Sequence, residues 1–151
     1  MRYSILLLMV GLPQSGKSTQ ARKLADENNW PIVSPDAIRL ALHGHPYIHD
    51  AEDYVWAVAK TMAKALFLAG HETVILDATN VTRKRRDNWK DKMWRREFMV
   101  MITSPEKCRE RVETQGRYDL VPVIERMESA FEAVASDETE TDDPIEYRSG
   151  E

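Results

Sequence analysis

Short apolar runs alternate along the chain with longer stretches in which apolar residues return every three or four positions. The runs at 3–10 (YSILLLMV), 31–33, 73–77 and 97–102 are predicted to be buried strands. Between the second and third, a helix is predicted over 50–69. There Ala51, Tyr54, Val55, Val58, Met62, Ala65, Leu66 and Ala69 recur at i, i+3 and i+4, and Gly70 suits its C-terminal cap. Further helices are predicted over 17–27, 35–42, 83–94, 105–113 and 122–134, with Pro35, Pro105 and Pro122 each suited to a first helical position. Strands alternating with crossover helices indicate an α/β fold with a parallel sheet of four strands, or five if IEY near the C-terminus adds an edge.

Composition narrows this picture. A chain of 151 residues, 42% hydrophobic and 30% charged, has the length and balance of one ordinary domain. Its single cysteine, Cys108, excludes an internal disulfide framework and a zinc ribbon and fits a reduced, cytoplasmic setting. ILLLMV is too short to span a bilayer, and no other segment approaches a spanning helix, so no membrane association is expected. The net charge of −4 is unevenly distributed, because seven acids and one base lie between Asp137 and Glu151. Residues 1–135 therefore form the expected domain, and 136–151 an acidic, flexible tail. The body is mildly basic, with clusters at 83–86 and 95–96 and at Lys107, Arg109, Arg111 and Arg117. These offer either a phosphate-binding surface or merely solvated helix faces.

The most specific chemical signal is GLPQSGKST at 11–19, which directly follows the first apolar run. Gly11, Gly16, Lys17 and Ser18 satisfy G-x-x-x-x-G-K-[ST], a loop that cradles the phosphates of a nucleoside triphosphate. Between a strand and a helix, such a loop turns backbone N–H groups of Gln14, Ser15 and Gly16 inward, beside the positive helix end. Lys17 supplies a cation to the β and γ phosphates, the Ser18 hydroxyl ligates magnesium, and Thr19 reaches the α phosphate. ATP and Mg²⁺ are the expected cofactors.

The acceptor is less directly written. No N-K-x-D element of guanine specificity exists, and the chain leaves little room for the coupling elements of a mechanical ATPase, so a small phosphotransferase fits better. SPDAIR follows the second strand at its carboxyl end, where ligands bind in open α/β sheets. Asp36 and Arg39 are three apart and share a helix face; the helix dipole favours the Asp36 anion, which can serve as general base. TVILDATN ends a strand in Asp77, suited to holding magnesium directly or through water, with Thr79 and Asn80 extending the polar edge.

Together GLPQSGKST, SPDAIR, LDATNVTRKRR and RVETQGRYDLVP resemble the kinase module of phage-type 5′-hydroxyl polynucleotide kinases, within the small P-loop kinases, over residues 4 to about 133. The resemblance implies a nucleoside-kinase-like P-loop NTPase fold, three layers α/β/α with a helical lid around 109–121, and ATP-dependent transfer to a nucleic-acid 5′-hydroxyl. It implies that Lys17 and Ser18 serve ATP and magnesium, Asp36 is the general base, Arg39 contacts an acceptor phosphate, and Asp77 is the acidic residue of the D-x-T-N motif. Arg111 matches a family arginine. Gln115 stands where the family carries the arginine that stabilises the transferring phosphate, and Arg117, two residues on, is the expected replacement. Pro35 stands where the phage-type enzyme has an arginine that packs on the terminal base. No D-x-D-G-T element accompanies the module, so no 3′-phosphatase activity is expected.

The acceptor reading favours the 5′-OH of DNA or RNA. The alternatives are another hydroxyl, such as a hydroxymethylated base in DNA or a small metabolite, and a regulatory nucleotide-binding ATPase that transfers nothing. His43, His45 and His49 share one loop and are read as polar residues near the acceptor pocket, not as a metal site. Trp56 lies off the apolar stripe of its helix; with Tyr47 it is suited to base stacking or to filling packing gaps. Trp89 and Trp94 are expected to pack their helix on the sheet.

Overall fold

A computed structural model of the chain describes residues 3–44 and 47–148. Strand β1 (Ile5–Val10) has no polar residue, because it is the centre of a parallel sheet covered on both faces. Leu6, Leu8 and Val10 enter one core layer, and Leu7 and Met9 the other. Strands β2 (Ile32–Val33), β3 (Thr73–Leu76), β4 (Arg95–Met101) and β5 (Ile145–Tyr147) complete the sheet in the order β2-β3-β1-β4-β5, every pair parallel. The expected α/β fold with a parallel sheet is thus present, with five strands.

Helix α1 (Lys17–Asn28) covers one face through Ala21, Leu24 and Ala25. Helix α2 (Pro35–His43) follows β2 at once, with Ser34 capping it by accepting from Ala37 N–H at 3.1 Å. Helix α3 (Glu52–Leu68) covers the other face, preceded by a 3₁₀ turn at His49–Ala51 where a continuous helix from 50 was expected. Its buried stripe is Val55, Ala59, Ala63 and Phe67, whereas Tyr54 and Met62 of the expected stripe are exposed. Small alanines allow close approach to the sheet, while Tyr54 and Met62 lie outside.

The helix expected over 83–94 is only one turn and a half, α4 (Arg83–Asp87). Trp94 Nε1–H donates to the Trp89 carbonyl at 2.7 Å, folding the chain back before β4. Both tryptophans are core residues, and Trp94 stacks on Phe67. Helices α5 (Pro105–Thr114) and α6 (Val121–Ala130) flank the 3₁₀ turn Tyr118–Leu120 and contain the segment expected as a lid. Their Cys108, Val112 and Ile124 pack on Leu12 of the phosphate loop and on Val81. Helix α6 ends four residues early, because Phe131 is extended.

The tail expected to be flexible is docked, as far as Tyr147. Glu138 is buried and paired with the equally buried Arg86 at 2.8 Å. Glu140 accepts from Arg96 Nε at 2.8 Å, Asp137 from Arg83 Nη2 at 2.8 Å, and β5 pairs with β4. Part of the basic clusters at 83–86 and 95–96 therefore anchors the tail. Burial opposes the Glu138 charge, but hydrogen bonds from Arg86 and the Ala135 N–H more than compensate and hold this carboxyl below its ordinary range. Among the described residues, no helix is long and apolar enough to cross a membrane.

Candidate active site at the sheet edge

The site is assembled from the carboxyl ends of three adjacent strands. Strand β3 lies between β1 and β2, and Asp77 N–H donates to the Val33 carbonyl at 2.9 Å, continuing the ladder past the strand ends. The loop after β1, Asp77 after β3 and Asp36 after β2 consequently share one rim. Asn80, at a φ of 47°, fastens it: its amide donates to the Met9 carbonyl at 2.7 Å, while Gly11 N–H donates to the Thr79 carbonyl at 2.9 Å.

Two glycines serve the phosphate loop differently. Gly16 has a φ of 95°, a conformation that disfavours a side chain. At Gly11 the constraint is proximity, since an added Cβ would lie 2.6 Å from Ser15 Oγ and 3.0 Å from Met101 Cβ. Gln14 also has positive φ, at 64°. Helix α1 begins without a side-chain cap and without an acid in its first turn, so its positive end is left for an anion.

Lys17 is partly buried, and Ser18 and Thr19 are exposed at the helix start. Burial lowers the Lys17 pKa, while the carboxylates of Asp77 and then Asp36 act in the opposite direction, so both charges bear on the ammonium. Ser15 Oγ and Asp77 Oδ1 are buried without a hydrogen-bond partner among the described residues. A hydroxyl donor in the loop and a carboxylate oxygen facing Lys17 are what a bound triphosphate and its divalent cation would satisfy, so the residues present fit ATP and Mg²⁺.

On α2, Asp36 is exposed and its Oδ1 accepts from Arg39 Nη1 at 2.6 Å. Arg39 is also bidentate on Glu52 of α3, with Nε to Oε2 at 2.9 Å and Nη2 to Oε1 at 2.6 Å. Sequence reasoning missed Glu52, because the contact joins two helices across a loop and leaves no local spacing. On the other side, Arg111 Nη1 donates to the Gln14 carbonyl at 2.9 Å, and Thr103 Oγ1 to the Ser15 carbonyl at 2.7 Å. Gln115 reaches the Gln14 side chain at 3.3 Å. Arg117 is not brought to the loop: it is half exposed and lies on Asp119 at 3.3 Å. Its backbone N–H closes the end of α5 on the Val112 carbonyl at 2.8 Å.

His45 lies outside the described residues; His49 contacts Tyr47 Oη at 3.2 Å. Trp56 packs edge-on against Trp89, with ring centroids 6.2 Å apart. A cavity of about 640 Å³ lies behind the loop, lined by Leu12, Ile102, Phe131, Val134 and Pro144 among others. Lys17, Asp36, Asp77 and Arg111 lie outside it, on the rim.

A family model described as an AAA domain matches residues 6–134. No curated protein matches the chain. A solved structure of a Pnkp1/Rnl/Hen1 complex is 29% identical with a TM-score of 0.67, covering 74% of this chain and 40% of that one. A structure of the Pnkp1/Rnl/Hen1 RNA repair complex is 21% identical, TM-score 0.66, covering 87% and 47%. The chain thus spans less than half the length of the chains it matches there. A gluconokinase from Sinorhizobium meliloti 1021 is 18% identical, TM-score 0.67, covering 98% of this chain and 84% of that one, and shares the fold.

Proposed function

The chain belongs to the AAA domain family, and we propose that within it this protein is an ATP-dependent kinase acting on the 5′-hydroxyl end of a nucleic acid strand. The observation that carries this reading is the alignment of the phosphate loop, Asp77 and Asp36 along one rim, with Asp36 tied to Arg39. The 29% identity with a Pnkp1/Rnl/Hen1 chain, and the RNA repair for which that complex is named, support the acceptor.

In this reading the loop N–H groups, the start of α1 and Lys17 hold the triphosphate. Ser18 and Asp77 would hold the magnesium, which would neutralise phosphate charge. Arg39 occupies Asp36 Oδ1 and leaves Oδ2 to take the proton of the acceptor hydroxyl. The hydroxyl oxygen bonds to the γ phosphorus, the bond to the β–γ bridging oxygen breaks, and ADP departs. A general base contributes about 10² to 10⁴ in rate. Arg111, held on the Gln14 carbonyl, is the lid cation nearest the loop, and such an arginine is worth about 10³ to 10⁵ in turnover. Arg117 is secondary in this scheme.

A small uncharged acceptor such as a sugar is the second reading. It is favoured by the engagement of Arg39 with Glu52, which offsets the charge an acceptor phosphate needs. Incubation with labelled ATP and a panel of 5′-hydroxyl oligonucleotides, nucleosides and sugars separates them. Label on the oligonucleotide 5′ end supports the proposal; label on sugars alone overturns it.

A further inference from the structure

The three arginines of the run Arg83, Lys84, Arg85, Arg86 divide by what each guanidinium meets. Arg83 lies on Asp137 and Asp87, and Arg86 is buried on Glu138. Arg85 is different: it is exposed, and among the described residues its side chain makes no ion pair. Its guanidinium carbon instead stands over the Trp56 ring, 4.9 Å from the centroid. Arg39 stands against the same ring at 5.8 Å. The two cations are therefore no further apart than the sum of those distances.

Trp56 is fixed for this role. It lies one helical turn after Glu52 on α3, so one face of that helix carries both the carboxylate that holds Arg39 and the ring. Its edge contact with the buried Trp89 sets the ring's orientation. Its indole Nε1–H is buried with no hydrogen-bond partner, so packing and the two guanidiniums hold it.

The charge balance gives Arg85 its significance. Arg39 is shared between Glu52 and Asp36, and that group of three carries a net negative charge, which repels an incoming phosphate. Arg85, with no acid of its own, restores neutrality next to it. Resting on the acceptor reading above, we propose that Arg39 and Arg85, seated together on Trp56, hold two successive phosphates of the acceptor, which makes a phosphodiester strand the preferred substrate class over a nucleoside or a sugar. Asp36 then meets the hydroxyl at the strand's end, because Arg39 binds both the base and the first phosphate.

The test compares kcat/KM for a 5′-hydroxyl trinucleotide and for a nucleoside 3′-monophosphate in the wild type, Arg85→Gln and Arg85→Lys. Arg85→Gln is expected to lower the trinucleotide-to-monophosphate ratio at least about tenfold through KM, and to reduce the salt slope of trinucleotide binding by about 0.7. Arg85→Lys recovers most of the ratio. An unchanged ratio, or an equal loss on both acceptors, overturns the inference while leaving the kinase reading intact. A wild type that phosphorylates sugars but neither nucleotide acceptor overturns both.

Discussion

Arg111 and Gln14 meet across 97 positions of sequence, the guanidinium donating to the loop carbonyl at 2.9 Å. This bond ties helix α5 to the phosphate loop and brings a cation to it. Arg111→Ala is expected to lower kcat by about 10³ or more, whereas Arg117→Ala changes it only a few-fold. Steady-state kinetics of the two variants decide between the arginines; the reverse ranking would restore Arg117 to the site.

Burial lowers the Lys17 pKa from 10.5 against the pull of Asp77 and Asp36. Between that lowered value and 10.5 the folded protein binds fewer protons than the unfolded chain, so this residue's contribution to stability rises with pH across the window. A bound triphosphate favours the ammonium and reverses the shift. Calorimetric titration at a pH between that lowered value and 10.5, in buffers of different ionisation enthalpy, should register proton uptake on ATP binding. Lys17→Arg, which stays charged, should bind without that uptake; equal uptake in both would assign it elsewhere.

The pair Glu138 and Arg86 is fully buried, at 2.8 Å. Glu138→Ala leaves an uncompensated guanidinium and is expected to cost about 3 to 5 kcal/mol in urea unfolding, much of it recovered in the double variant with Arg86→Met. The folded pKa of Glu138 lies below its ordinary 4.5, so its stabilisation is fully present above that pH and is lost as pH falls through the folded value. Acid unfolding below about pH 4.5 should therefore be less steep in Glu138→Gln than in the wild type.

What could be read in advance was what short-range pattern encodes. The run ILLLMV, the strand-to-helix turn at Gly16, Lys17 and Ser18, and Pro35 at the start of its helix each act within a few residues, and all form as expected. The docking of the tail depends on pairs such as Arg86 with Glu138, 52 positions apart, which no periodicity reveals. The same holds for Glu52 on Arg39 and Arg111 on Gln14. The stripe of α3 was misjudged because alanines at 59 and 63 are buried for their smallness, while hydrophobicity alone favoured Tyr54 and Met62. Early termination of α4 follows from the turn that Trp94 closes on Trp89, a tertiary preference overriding helix propensity.

The central claim is that Asp36 activates an acceptor hydroxyl at the rim where the triphosphate is held, and the direct measurement is transfer of labelled γ phosphate from ATP to a 5′-hydroxyl oligonucleotide by wild type and Asp36→Asn, alongside ATP binding by calorimetry. The account predicts label on the 5′ end with the wild type, a fall of about 10² to 10⁴ in rate with Asp36→Asn, and unchanged ATP affinity. Undiminished transfer by Asp36→Asn, or hydrolysis of ATP by the wild type with no labelled acceptor, would contradict it.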